Sequence, residues 1–374
     1  MAAFYTDTYQ PHPQPLPPRG GGLDSALTFV FQNGIKYRSE GIPPSPRGEG
    51  LGVGLITLLI FCLFIQTAQA QQEPMYTQFM FNKLAYNPAS AGNAVSPVVT
   101  AIYRNQWMGL DGAPNTQILS FHQPLLNERL GIGANLNRSS IGISRTVTLD
   151  LIYAYRIPMR LGHLCIGLQP SVRNFWQNWN DSRLYSPTPA GTDVAIPTEP
   201  RNKWIVNFGG GIYYTNPDKG WFAGVAVPRI FPNNIDFSEN GGVLSREVFH
   251  LNAMGGLTFE LKEDALQLIP QLLLKYAKNA PFEAELNTMF AIQQKFYTGL
   301  SYRAGGDTNG AGESIGVLAG IQVTAPLFFC LSYDIGLTRL RKFNNGSVEA
   351  VVRWYINPPE GTGDIGTGVP GLSY

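Results

Sequence analysis

From Val98 to Ile356 the chain is written as short runs in which apolar and polar positions alternate, separated by clusters of Gly, Pro, Asn and Asp. A period of two places every second side chain on one face of a strand, and the turn residues between runs mark reversals. Fourteen such runs are legible, at 98–110, 116–125, 130–138, 145–157, 160–175, 204–216, 221–230, 248–261, 266–278, 282–293, 295–305, 314–325, 328–340 and 347–356. An even count lets the first and last strands pair antiparallel and close the sheet, which removes the open edges that lipid does not tolerate. The pattern predicts an all-β fold: a transmembrane antiparallel outer-membrane β-barrel of about 14 strands with a short N-terminal leader or plug segment. Many runs exceed the roughly 9–11 residues that cross a bilayer, so several strands are expected to project into loops. The rival fold is a large soluble β-sandwich or propeller, because alternation alone does not separate lipid from a protein core.

The stretch ahead of these runs bears on that choice. Residues 51–70, LGVGLITLLIFCLFIQTAQA, follow Arg47 and end in Ala68-Gln69-Ala70. A basic start, an apolar core and a small-x-small site are the parts of a cleaved signal peptide, which predicts a mature start at Gln71. A single transmembrane anchor is the other reading of this run, since about 18 apolar residues span a bilayer. Lipidation at Cys62 is not expected, because Phe61 precedes it and the apolar run continues past it. Residues 1–50, rich in Pro and Gly without an apolar period, read as a disordered or mis-started extension. The expected organisation is therefore extension 1–50, signal 51–70, leader or plug 71–97, barrel 98–357 and flexible tail 358–374.

Within the leader, Met75, Phe79, Met80, Leu84 and Tyr86 line one side of a brief helix or an extended plug, and Asn87-Pro88 ends the pattern. A free helix this short is marginal in water. The stretch WQNWNDSRLYSPTPAGTDVAIPTEPRNK, residues 176–203, reads as a long loop of the kind such barrels place outside the cell.

Composition strengthens the membrane reading. Charged residues make up 14% of the chain, against about 25% in soluble domains, so little sequence is available to wet a large surface. Aromatics at 12% suit the two girdles of a barrel. The formal charge of +1 offers no electrostatic case for nucleic acid. Cys165 and Cys330 sit in apolar runs and read as buried small hydrophobes, with a disulfide in an oxidising compartment as the alternative.

Candidate chemistry is sparse. Ser120 and His122 share a strand face, but side chains two apart lie roughly 6–7 Å from each other and no orienting group is evident, so His122 reads as a lumen or rim residue. His163 and His250 stand alone in their strands. No catalytic, cofactor or metal residues are predicted. Ten charges interrupt apolar strands: Arg104, Asp150, Arg156, Arg173, Lys275, Glu283, Glu285, Arg303, Asp334 and Arg353. On the lipid face each costs about 2–4 kcal/mol near the midplane, so they are expected to point inward or sit at rims. Paired inside, they make a filled scaffold; unpaired, they line a wet channel.

Two segments carry a resemblance. QQEPMYTQFMFNKLAYNPASAGN and YRNQWMGLDGAPNTQILSFHQPL resemble the opening of the PorP/SprF family of Bacteroidota outer-membrane proteins. The first matches through Tyr76, Gln78, Phe79, Met80, Asn82, Asn87, Pro88, Ala89, Ala91 and Gly92. The second matches through Arg104, Gln106, Trp107, Gly109, Gly112, Pro114 and Thr116. LDLIYAYRIPM resembles the family's middle strands, and Ser332, Tyr333, Asp334, Gly346, Ser347 and Glu349 its closing ones. The resemblance covers about 71–356 and implies a non-enzymatic outer-membrane component of the type IX secretion system and gliding machinery. Such a component associates with periplasmic machinery, or receives and holds secreted adhesins through their C-terminal domain. The implied partners are thus outer-membrane lipid and components of that system, and the alternative function is a diffusion channel or hydrophobic-solute transporter. Asn87-Pro88 and Gly92 form a bend that seats the leader against or inside the barrel. Arg104, Trp107 and the turn at Gly112 and Pro114 read as structural, with Trp107 as a girdle aromatic or a partner contact.

Overall fold

Strand β4 (Ser144–Met159) shows how the alternation becomes a wall: Thr148, Asp150, Ile152 and Ala154 are buried, while Leu149, Leu151, Tyr153 and Tyr155 between them are exposed. The computed structural model describes residues 73, 75–179, 181, 199–235, 237, 245–263, 265–278, 280–305 and 312–357. The signal at 51–70, the extension before it, the tail from 358 and residues 182–198 of the long insertion lie outside these described residues.

The remaining strands are β1 (Val98–Asn105), β2 (Asn115–Leu125), β3 (Leu130–Ile141), β5 (Gly162–Gln177), β6 (Arg201–Asn216), β7 (Trp221–Val227), β8 (His250–Leu257), β9 (Phe259–Lys262), β10 (Leu266–Ala277), β11 (Glu283–Ile292), β12 (Phe296–Ala304), β13 (Ser314–Thr324), β14 (Leu327–Gly336) and β15 (Ser347–Tyr355). Both β8 and β9 pair with β10, so they are one crossing interrupted at Thr258. Every neighbour pairs antiparallel, and β1 joins β15 with Val98 opposite Tyr355. The result is a closed 14-stranded antiparallel barrel of the outer-membrane type. No helix among the described residues is long and apolar enough to cross a membrane, and the chain crosses with strands instead.

One end carries short turns, such as Gln293-Gln294, both at positive φ in the twist-matched geometry of a tight hairpin. The PDKG turn is also here: Asn216 caps Pro217–Lys219, and Gly220 takes the left-handed position at φ 62°. The other end carries the long excursions, 178–200 between β5 and β6 and 228–249 between β7 and β8. Short turns mark the periplasmic end and long excursions the extracellular end, here called inner and outer. Tyr103, Tyr276, Tyr302 and Tyr333 are exposed near the outer ends of their strands, and Tyr155, Phe296 and Trp354 near the inner ends, as two aromatic girdles require.

Several boundaries differ from the sequence reading. Strand β1 stops at Asn105, so Trp107 lies in the following excursion at φ 49° and not on a strand. Strands β5 and β6 climb into the stretch read as loop, taking in Trp176-Gln177 and Arg201–Lys203, because the two strands stay paired there, with Phe175 opposite Lys203, Trp176 opposite Asn202 and Gln177 opposite Arg201. After β14 the chain makes a short 3₁₀ turn, Arg339–Phe343, where strand was expected. Cys165 and Cys330 are buried free thiols.

The leader forms neither a helix nor an extended strand. It makes three successive 3₁₀ turns, Phe79–Phe81, Lys83–Ala85 and Pro88–Ser90, which occupy the lumen. Tyr76, Phe79, Met80, Phe81, Leu84 and Tyr86 are all buried there. Small residues of the wall let the leader approach: a methyl group added at Gly167 would overlap Ala89, and one at Gly131 would overlap Ala91. Substituting Gly167→Ala is expected to lower the unfolding midpoint by about 1–3 kcal/mol equivalent, as overpacking does. A midpoint unchanged in denaturant titration would show that the leader does not press on this strand.

Candidate functional site

Thr77 and Gln78 sit at the outer half of the lumen, where both backbone N–H groups donate to one carboxylate. Thr77 N meets Glu349 Oε2 at 2.9 Å and Gln78 N meets Oε1 at 2.8 Å. The Gln78 amide adds bonds to the Glu349 carbonyl at 2.9 Å and to Ser332 Oγ at 3.2 Å. Arg104 from β1 spreads its fork across the same place, with Nη1 2.8 Å from Glu349 Oε2 and Nη2 2.8 Å from Asp334 Oδ2. The Thr77 hydroxyl donates to Asp334 at 2.6 Å and accepts from Arg104 at 2.8 Å and Arg303 at 3.1 Å, which uses its one donor and both lone pairs. Arg303 is itself paired with Glu285 at 3.0 Å. Arg104 is 1% exposed and Glu349 0%, so these charges are held by one another and not by water.

Below this node, wall asparagines take up leader carbonyls that no ladder satisfies. Asn287 donates to Thr77 O at 3.0 Å, Asn135 to Leu84 O at 3.1 Å and Asn252 to Tyr86 O at 3.2 Å. In the other direction Asn82 donates to Ser120 Oγ at 2.8 Å, and Asn87 donates to Ile212 O at 3.0 Å while accepting from Ala89 N. Tyr76 donates its N–H to the Tyr86 hydroxyl and accepts from Asn137 on its own. Pro88, buried at the first position of its 3₁₀ turn, has no N–H to leave unsatisfied. At the inner end Gly92 turns at φ 70°, donates to His122 Nδ1 at 3.3 Å and accepts from Arg156 at 2.7 Å. His122 is therefore a lumen residue that holds the bend, as Ser120 holds Asn82.

The ten strand charges all face inward or rimward, and Arg104, Asp150, Glu283, Glu285, Arg303, Asp334 and Arg353 are buried. Lys275 lies over the ring of Tyr86, Lys83 of the leader over Phe222 and Arg353 over Tyr355. Near the outer mouth Glu73 pairs with Arg173 and Arg229, and Glu247 with Arg173. Among the described residues, two small cavities adjoin the leader. One of about 40 Å³ adjoins Tyr76, Asn135 and Arg229, and one of about 10 Å³ adjoins Lys83, Ser90 and Arg353. They hold a few waters at most.

Residues of the second motif divide. Arg104 joins the leader, while the rest tie the outer excursions together. Gln106 N donates to Pro114 O, Trp107 N to Ser347 Oγ, Met108 N to Gly346 O and Gly142 N to Gly112 O. Gly109 and Gly112 supply positive φ of 88° and 71°. The sequence reading did not single out Thr77, Glu73, Arg229 or Glu247. Glu349, in the alternating run Ser347–Tyr355 and four residues from Arg353 on the same face, was legible as an inward charge. Among the described residues no three His, Cys, Asp or Glu side chains gather as they do around a metal ion.

A closed barrel with an apolar exterior and a lumen filled by ion pairs and its own leader defines a transmembrane outer-membrane protein. Its sequence places it further. The chain belongs to the PorP/SprF family, the type IX secretion system membrane protein PorP/SprF, whose profile matches residues 68–354. It is a non-enzymatic outer-membrane component of that secretion system. No curated protein sequence matches the chain. Among solved structures it is similar to the outer membrane protein Omp33 of Acinetobacter baumannii, at 8% identity and TM-score 0.41 over 71% of this chain and 100% of that one. It is also similar to the toluene transporter TodX of Pseudomonas putida, at 11% identity and TM-score 0.44 over 77% and 95%. A monoaromatic hydrocarbon channel, CymD, matches at 12% identity and TM-score 0.43 over 75% and 91%. Likeness at this level says nothing about what the present chain carries.

Proposed function

We propose that the barrel is a non-conducting platform that associates with periplasmic components of the type IX secretion system, or receives a secreted adhesin by its C-terminal domain and holds it at the cell surface. The supporting observation is the occupied lumen: Arg104, Asp334, Glu349 and Arg303 close on Thr77 and Gln78 of the leader. In this reading Tyr76, Gln78, Met80, Asn82, Asn87, Pro88 and Gly92 keep the leader seated. Gln106, Trp107, Gly112 and Pro114 shape the outer excursion that a surface partner meets. A diffusion channel or hydrophobic-solute transporter, the competing function, requires an open lumen or a bound solute.

The test is a pull-down of the detergent-extracted protein from its native outer membrane, with bound proteins identified by mass spectrometry and the purified barrel placed in a planar bilayer. Recovery of secretion components or a large surface adhesin, with a silent bilayer, is the expected result. A partner-free barrel that conducts ions would overturn the platform reading.

A further inference from the structure

The outward face of the wall is nearly free of charge. In β1 to β8 and β10 to β15 every charged residue takes an inward position except two, Arg138 on β3 and Arg145 on β4. Asn135 and Asn137 bond to the leader and set the inward side of β3, while buried Thr148 and Asp150 set that of β4. Both arginines are therefore on the outward side with Leu136 and Leu149, and both are exposed. Arg138 pairs opposite Val147 and Ser140 opposite Arg145, so the two arginines occupy a diagonal of neighbouring strands, roughly 7–8 Å apart.

They stand where the apolar belt ends. Leu119, Leu136, Leu149 and Val172 form one register row across β2 to β5, and the next row outward is Gln117, Arg138, Val147 and Asn174. A basic residue on the lipid face costs about 2–4 kcal/mol at the midplane but about 0–1 near an interface, which suits the pair to headgroup height. At the inner ends of the same four strands the outward positions are Leu125, Leu130, Met159 and Leu164, and Arg129 and Arg160 lie in turns beyond them.

Like charges this close repel each other, and the wall supplies no counter-charge. Among the described residues neither arginine meets a carboxylate: Arg138 donates to Gln117 Oε1 at 3.4 Å, and the Arg145 guanidinium lies 5.0 Å from the ring centre of Trp176. The Gln117 amide donates to Asn115, and that of Asn115 to the Tyr103 hydroxyl, which fixes Gln117 beside Arg138. The chemistry that completes this patch is an anion with a polar body and an apolar tail. Guanidinium forks match phosphate oxygens, the amides and the Trp176 ring suit a sugar, and the leucine row suits hydrocarbon.

We propose that Arg138 and Arg145 hold the phosphate of a phosphorylated glycolipid of the outer leaflet. Its sugar rests against Trp176 and its acyl chains run down over Leu136, Leu149 and Val172. The inference rests on the outer-membrane orientation and is independent of which protein the barrel docks.

The test titrates the folded barrel, extracted from its own outer membrane and washed in detergent, with monophosphorylated lipid A, and reads bound lipid by native mass spectrometry. One lipid per barrel is expected. Arg138→Gln combined with Arg145→Gln is expected to weaken binding about tenfold or more, and removing the phosphate from the lipid to weaken it equally in the unaltered protein. Arg138→Lys with Arg145→Lys keeps the charge without the fork and falls between. Arg339→Gln with Arg341→Gln, in the outer turn between β14 and β15, is expected to bind as wild type does. Binding by the double Gln variant equal to wild type, undiminished binding of the phosphate-free lipid, or displacement by equimolar phosphatidylglycerol would overturn the proposal.

Discussion

Replacing Arg104 by Met is expected to lower the stability of the barrel by about 3–5 kcal/mol, the cost of leaving buried charge without its partner. Asp334 and Glu349 are both buried and both within 2.8 Å of the guanidinium, so its loss brings two carboxylates together in a site without water. Arg303 does not replace it, since that side chain is engaged with Glu285. The measurement is the denaturant or thermal midpoint at which the folded barrel converts to the slow-migrating unfolded band. Arg104→Lys keeps the charge but loses the two-pronged geometry, and falls between wild type and Arg104→Met. Adding Asp334→Asn and Glu349→Gln to Arg104→Met removes the uncompensated charge and restores part of the loss. A midpoint for Arg104→Met equal to wild type would show that the node is not a stabilising unit.

Joining the export segment directly to Asn93, so that the leader is absent, is expected to turn a silent barrel into a conducting one. The wall that the leader leaves behind carries Arg104, Arg303, Arg353, Glu285, Asp334 and Glu349, and water enters to solvate them. Single-channel recordings in planar bilayers decide the matter: equal conductance with and without the leader, or none in either, would sink the plug as the element that closes the lumen.

How much of this was legible in the sequence depends on how local the determining interaction is. The fourteen crossings were readable because side-chain direction in a strand has a period of two, and a lipid exterior enforces that period at nearly every position of β4, β11, β12 and β15. For the same reason the inward charges were readable one by one. Boundaries were less so. Trp107 lies two residues past Asn105 without a break in composition, and its positive φ and its backbone bond to Ser347 on the neighbouring crossing show that the strand has ended. The interruption at Thr258 likewise leaves no mark in the alternation.

The leader divides the two kinds of information most clearly. Its apolar side chains and its Asn-Pro and Gly punctuation announced an ordered segment that ends at a bend, and its short length argued against an independent helix. Its three 3₁₀ turns, however, exist because Asn135, Asn252 and Asn287 reach in from β3, β8 and β11 to take its carbonyls, while Glu349 takes its amides from β15. Those partners are up to 272 residues away. The sequence by itself determined the alternation, the number of crossings and the inward sign of each charge, since each follows from neighbours one or two positions away. Only the tertiary structure decided which charges pair, which carbonyl each asparagine satisfies, and that the leader runs outward through a lumen it fills, because closing the barrel is what brings those distant strands around it.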